Sequence, residues 1–467
     1  MVFSSLLFLF RFLPIVILGY FILPRKFRNL FLLLFSLFFY AWGEPTYIAL
    51  MLFSIVINFL GGIFVDKYKT TGSMKGAKTA LIVSMVIDIG LLGVFKYTGF
   101  FLENVNAIMK TDLVLSIVLP IGISFYTFQM MSYVIDVYRG DTEVQKNIIN
   151  FGCYVSLFPQ LIAGPIVQYK TVAEQLETRA ETADAFGEGV KRFMAGLSKK
   201  VLIANNLGVL WDTVSASDLT SVPALTAWLG ILAFTFQIYF DFSGYSDMAI
   251  GLGKMFAFEF LENFDYPYIS KSITEFWRRW HISLGTWFRD YLYIPLGGNR
   301  HGLLKQIRNI AVVWLMTGIW HGASWNFALW GLYFGVILIL EKLFLLKLLK
   351  KLPSFISHVY SIFLFVYGWV IFALEDTSDI LVYTKALFGS AGFLNRESMY
   401  LLLNFGLLLI IAGIFSTPLP KKLFAALEGK LPRLAFVLTV LGVVSAFVLS
   451  VVYITASSYN PFLYFRF

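Results

Sequence analysis

His321 sits in the run Trp320-His321-Gly322-Ala323-Ser324-Trp325-Asn326, between apolar stretches at 310–320 and 327–340. Lys305 and Arg308 precede the pair, and Lys342, Lys347 and Lys350 follow it. Short loops rich in Lys and Arg stay on the cytoplasmic side of a membrane. With both basic ends there, the two stretches form a helical hairpin and His321 sits near its apex. The path from Arg308 to His321 covers roughly 18 Å at about 1.5 Å per residue. That depth is past the midplane of a hydrocarbon core about 30 Å thick. An ionisable side chain so placed is costly and is a functional candidate by default. The plain alternative is a neutral ring packed against the indoles and bonded to a backbone carbonyl.

The chemistry such a ring suits is proton transfer. Imidazole has an ordinary pKa of about 6.5, so near neutral pH it can take a proton from a hydroxyl attacking an acyl group. Other chemistries lack their motifs. Neither His281 nor His321 has a His or Glu three or four residues on, so no metal site is expected. No G-x-S-x-G elbow and no phosphate loop occurs. His281, in Trp277-Arg278-Arg279-Trp280-His281-Ile282-Ser283-Leu284, is the second catalytic candidate, against an interfacial ring bonded to headgroups or backbone. His301 and His358 read as a loop residue and a helix-start residue.

Further polar residues could serve that centre. Arg278, Arg279 and Arg289 could attract the phosphates of a donor from the cytoplasmic side, because a guanidinium matches phosphate geometry. Positive-inside anchoring is their bland alternative. Asp241 and Asp247 interrupt the block 237–247 and are expected to face the protein interior. There they would line a substrate path with Trp320, Ser324 and Asn326, or hold helices together.

The chain must supply membrane helices to position these groups. Of its 467 residues, 58% are hydrophobic, 18% aromatic and only 14% charged, which excludes a soluble globular domain. The net charge of +9 comes mainly from short loops, so it signals topology and implies no nucleic acid. A single cysteine, Cys153, excludes an internal disulfide. The first apolar run carries Arg11 and no small-residue cleavage site, so it reads as a retained helix. Basic loops at 24–28, 66–78, 278–308 and 420–433 are read as cytoplasmic, which puts both termini outside. The segments 154–170 and 276–298 mix Pro, Gly, charge and aromatics and read as re-entrant or interfacial. Residues 171–188 read as one polar amphipathic helix on a membrane surface. One domain is expected over 1–467, with an extracytoplasmic aromatic tail at 454–467.

The blocks 119–140, 158–168, 237–247, 276–298 and 318–331 together resemble the membrane-bound O-acyltransferase (MBOAT) superfamily in its bacterial cell-envelope branch. The resemblance extends over nearly the whole chain. It implies an all-α polytopic bundle of roughly eleven or more transmembrane helices with re-entrant segments around a transmembrane tunnel. It puts the family's invariant histidine on His321 and a less uniform polar position on His281. The activity implied is passage of an acetyl group across a bacterial cytoplasmic membrane for O-acetylation of an extracellular polysaccharide. The donor would be a cytosolic acyl thioester, most simply acetyl-CoA, with no cofactor. A separate extracytoplasmic SGNH-type transferase or esterase would complete delivery. D-alanyl transfer to teichoic acid is the near alternative. A transporter or flippase without chemistry is the distant one, since no internal symmetry is evident.

The last residues, Pro461-Phe462-Leu463-Tyr464-Phe465-Arg466-Phe467, could be an interfacial aromatic belt. They also resemble the C-terminal motif of a small membrane partner in D-alanylation systems, which makes Tyr464 a candidate transient acyl carrier. A phenol, with a pKa of about 10, is easier for a histidine to activate than a sugar hydroxyl.

Overall fold

The computed structural model describes residues 1–115, 117–457 and 459–461. Among them helices are the only regular element. Two compact units result, Met1–Phe193 with Tyr245–Leu261, and Met194–Gly244 with Glu262–Phe467.

The first unit opens with a π-helical turn, Phe8–Phe12, that runs into α1 (Leu13–Ile22). Then come α2 (Arg25–Gly43), α3 (Ile48–Thr70), α4 (Met74–Met109), α5 (Ile123–Arg139), α6 (Ile148–Ser156), α7 (Phe158–Leu161), α8 (Tyr169–Glu177) and α9 (Ala183–Ser198), which continues beyond it. Pro24 separates α1 from α2 with extended backbone, since proline fixes φ and cannot donate to the preceding turn. A buried hydrogen bond, Asn58 Nδ2 to Asp88 Oδ1 at 2.8 Å, ties α3 to α4. Polar contacts of this kind help hold helices together where lipid removes the hydrophobic drive. Residues 162–168, which are not helical, are all buried within the protein.

Residues 171–188 do not form a single helix. The chain leaves α8 at Thr178 and re-enters at Ala183. In the break, Glu181 accepts from the Tyr20 hydroxyl at 2.7 Å and pairs with Arg28 at 2.6 Å, while Arg179 Nε donates to Tyr20 at 3.0 Å. These bonds to α1 and α2 replace the helical continuation.

The second unit takes the end of α9, a π-helical segment Lys199–Ala204, and α10 (Asn205–Ser215). The long α11 (Ala224–Met255) enters it through Gly244. Two short helices follow, α12 (Ile273–Arg279) and α13 (Ile282–Phe288), then the hairpin α14 (Leu303–His321) and α15 (Trp325–Leu340). A π-turn, Glu341–Leu345, and α16 (Leu346–Leu349) lead to α17 (Ser354–Ala373), α18 (Thr377–Leu387), α19 (Arg396–Phe415), α20 (Leu419–Lys430) and α21 (Pro432–Ala456). By length and composition, α3, α4, α11, α17, α19 and α21 can each cross a membrane. The multi-pass expectation therefore stands.

The hairpin is held by close backbone approach. A Cβ on Gly318 would lie 2.4 Å from the Phe327 carbonyl oxygen, and one on Gly331 would lie 2.5 Å from that of Trp314. Small residues at facing positions let two membrane helices touch along their backbones. His321 thereby ends α14 at the tip, as the spacing of the apolar runs requires.

Candidate active site

His321 is the last residue of α14 and is 7% exposed. Its Nδ1 lies 2.7 Å from the carbonyl oxygen of Thr317, one turn earlier. A carbonyl only accepts, so Nδ1 carries the hydrogen of the neutral ring and the lone pair is on Nε2. Trp320, Trp330 and Phe372 box the ring with centroids 5.0, 4.8 and 5.7 Å away. Ser324 Oγ donates to Asn326 Oδ1 beyond the tip. Asn326 Nδ2 in turn donates to the Phe372 carbonyl at 3.2 Å and the Ile371 carbonyl at 3.4 Å, which fastens the tip to α17.

His281 occupies the joint between α12 and α13, with φ 45° and ψ 54°. A non-glycine residue in the left-handed region persists only where its surroundings hold it. Here Asn263, fully buried, does so. Its Oδ1 accepts from the Ser283 backbone N–H at 3.1 Å, the Ser283 hydroxyl at 2.9 Å and His281 Nδ1 at 3.2 Å. The Ser283 N–H identifies the facing amide atom as the oxygen, so His281 also bears its hydrogen on Nδ1. Backbone bonds Ile282 N to Asn263 O, 3.0 Å, and Asp265 N to Arg279 O, 2.9 Å, complete the clamp. Phe242 meets the ring edge-on at 4.7 Å, and Trp320 is 6.2 Å away.

The start of α12 is pinned by a buried carboxylate. Glu341, 0% exposed, accepts from Ile273 N at 2.7 Å, Thr274 N at 2.7 Å, Thr274 Oγ1 at 2.6 Å and the Tyr360 hydroxyl at 3.1 Å. An anion at a helix N-terminus satisfies the amides that the helix leaves open. Glu341→Leu strands these donors, each costing about 1–3 kcal/mol when buried. The expected outcome is a loss of at least about 2 kcal/mol in unfolding free energy, measured by denaturation of the detergent-solubilised protein. Unchanged stability would show that Glu341 does not hold α12.

These elements enclose one cavity of about 540 Å³ that both histidines line. Its wall follows a single face of α14 through Ile310, Val313, Trp314, Thr317 and His321, a length of roughly 16 Å. Arg278 and Arg289 also line it. Arg279 does not: it bonds Glu275 at 3.0 Å and Asp265 at 2.8 Å, and so braces the same clamp. Arg289 contacts the neighbouring Asp290 at 2.7 Å.

The residues expected along a substrate path fare differently. Trp320, Ser324 and Asn326 cluster at the hairpin tip but are not among the cavity walls. Asp241 pairs with Lys200 at 2.6 Å and Asp247 with Arg192 at 2.5 Å, and neither lines the cavity. Tyr464 lies outside the described residues. Asn263 and Glu341 were not singled out by sequence. Their signals are faint: Asn263 stands just before an aromatic run, and Glu341 is the first acid after the apolar α15.

A family model described as MBOAT, membrane-bound O-acyltransferase family, matches residues 143–375, which include both histidines, Asn263 and Glu341. The chain is 42% identical to a probable alginate O-acetylase AlgI of Pseudomonas putida over the full length of both chains. It is 36% identical to a peptidoglycan O-acetyltransferase of Helicobacter pylori, covering 84% of this chain and 80% of that one. A teichoic acid D-alanyltransferase of Bacillus subtilis is 27% identical, with 47% and 58% covered.

Proposed function

The chain belongs to the membrane-bound O-acyltransferase family, and from this we propose that it moves an acetyl group from a cytosolic thioester, most simply acetyl-CoA, to a hydroxyl serving an extracellular polysaccharide. The observation that carries the reading is the 2.7 Å contact of His321 Nδ1 with the Thr317 carbonyl, which leaves Nε2 as the basic nitrogen, in a cavity that His281, Arg278 and Arg289 also line. His321 Nε2 takes the proton of the acceptor hydroxyl as its oxygen attacks the thioester carbonyl. The tetrahedral centre then collapses, the carbon–sulfur bond breaks, and the imidazolium returns the proton to the departing thiolate. Arg278 and Arg289 receive the donor's phosphates.

Tyr464 is the first acceptor, and an extracytoplasmic SGNH-type transferase takes the group onward. The chain lies in the cytoplasmic membrane with both termini outward. Acetyl is favoured over D-alanyl by the much higher identity to the acetylase of P. putida than to the D-alanyltransferase. Alginate-like polymers are favoured over peptidoglycan on the same ground.

Two measurements test this. Purified protein given labelled acetyl-CoA should acquire label, and given a D-alanyl carrier-protein thioester should not. Label from the D-alanyl donor alone would reverse the assignment. His281→Ala should leave detectable turnover but raise the KM for acetyl-CoA, because His281 lines the same cavity as His321 and would help to position the donor there. Unchanged kcat and KM would remove His281 from the reaction.

A further inference from the structure

The elbow between α1 and α2 gathers positive charge that the transfer chemistry does not use. Pro24-Arg25-Lys26-Phe27-Arg28 joins the two helices. The first turns of α2, residues 145–150 and the end of α8 line a cavity of about 710 Å³ in the first unit. It shares no lining residue with the cavity of the two histidines. Arg25, Lys26, Arg28, Lys146 and Arg179 line it against Glu177 and Glu181 alone, which leaves a net charge of +3.

Part of this charge is fixed in place. Glu181 pairs with Arg28 at 2.6 Å and with Arg25 at 3.7 Å, and it accepts from the Tyr20 hydroxyl, to which Arg179 also bonds. Lys26 and Lys146 are exposed and have no carboxylate partner among the described residues. The walls are fixed as well. Asn29 Nδ2 donates to Asn150 Oδ1 at 2.8 Å and to the Leu176 carbonyl at 2.6 Å, which ties α2 to α6 and α8. Gln145 is buried; its Oε1 accepts from the Asn147 N–H at 2.8 Å and its Nε2 donates to the Tyr169 hydroxyl at 3.0 Å. No side chain caps the N-terminus of α2, so the positive end of that helix adds to the field. Guanidinium and ammonium groups beside a helix N-terminus suit a phosphate.

The surroundings narrow the kind of phosphate. Ile15, Leu18 and Ile22 lie exposed along one face of α1, and Phe27, Leu34 and Phe38 along one face of α2. Apolar stripes thus run away from the elbow on both sides of the basic pocket. A soluble phosphate would use the charge and leave the stripes bare. A phospholipid uses both, its headgroup in the pocket and its acyl chains along the helices.

We propose that this pocket binds the headgroup of an anionic phospholipid, with the phosphate held by Lys26, Lys146 and the arginines gathered on Glu181. The site is independent of the acyl-transfer reading.

The double variant Lys26→Gln/Lys146→Gln tests this in the full-length protein, because it removes two exposed charges and leaves the Glu181 cluster whole. Lys421→Gln/Lys422→Gln, which removes two exposed charges from α20, is the control for general attraction to the membrane. Native mass spectrometry of the detergent-solubilised protein measures retention of phosphatidylglycerol and of phosphatidylcholine. Calorimetry measures binding of coenzyme A and of inorganic phosphate. The wild type should prefer phosphatidylglycerol, and the pocket variant should bind it about tenfold or more weakly, at roughly 1 kcal/mol for each lysine near a phosphate. The control should bind it as the wild type does. Equal retention of the two lipids by the wild type, or an equal loss in the control, overturns the site. Loss of coenzyme A or phosphate binding in the pocket variant, with phosphatidylglycerol retention unchanged, overturns the lipid and assigns the pocket to a soluble phosphate.

Discussion

His321→Ala should reduce acetyl transfer by about two to four orders of magnitude, the usual contribution of a positioned general base. The protein should remain folded. The hairpin tip is fastened to α17 by Asn326, and α14 is locked to α15 by Gly318 and Gly331, none of which the substitution touches. The Nδ1 bond goes to Thr317 on the same helix, so its loss does not separate elements. His321→Asn sharpens the result. Its amide nitrogen can replace Nδ1 as donor to Thr317, but it supplies no base at the position of Nε2. Both variants should elute as the wild type does on size exclusion, bind acetyl-CoA, and fail in single turnover. Activity retained by His321→Asn would mean that the ring orients the donor and leaves the proton to another group.

Tyr464→Phe should abolish acetylation of the polymer while acetyl-CoA still binds. The change keeps an aromatic ring for the membrane interface and removes only the hydroxyl. A merely anchoring tail would tolerate it. A carrier would not, because a phenyl ester forms at that oxygen and keeps enough transfer potential to pass the group to a sugar. Polymer acetylation measured in cells carrying the partner transferase is the readout. Wild-type acetylation by the Phe variant would leave the aromatic belt as the tail's whole role.

Much of the fold was legible in the sequence because lipid imposes simple rules. Apolar runs bounded by Lys and Arg mark spans, and the hairpin 303–340 follows from two such runs with the short turn Gly322-Ala323-Ser324 between them. His321 stood out for the same reason, as an ionisable group where depth makes one expensive. The partners of His281 were not legible. Asn263 reaches it through a non-local clamp between residues 263–265 and 279–283, and no helical or strand periodicity encodes such pairing. Glu341 escaped notice because its work is done at the start of α12, far back along the chain. The three arginines looked equivalent in sequence, yet Arg279 is drawn away by Asp265 and Glu275 while Arg278 and Arg289 line the cavity. Asp241 and Asp247 were correctly read as interior. Their ion-pair partners, Lys200 and Arg192, lie on the preceding helical segments and could not be assigned from spacing.

We propose that His321 delivers an acetyl group from a cytosolic thioester to Tyr464. The most direct measurement is mass spectrometry of the C-terminal peptide after purified protein meets isotopically labelled acetyl-CoA, with no downstream transferase present. Wild-type protein is expected to carry labelled acetyl on Tyr464, and His321→Ala is expected to carry none. Equal labelling of the two, or label found only at sites other than Tyr464 in the wild type, would contradict it.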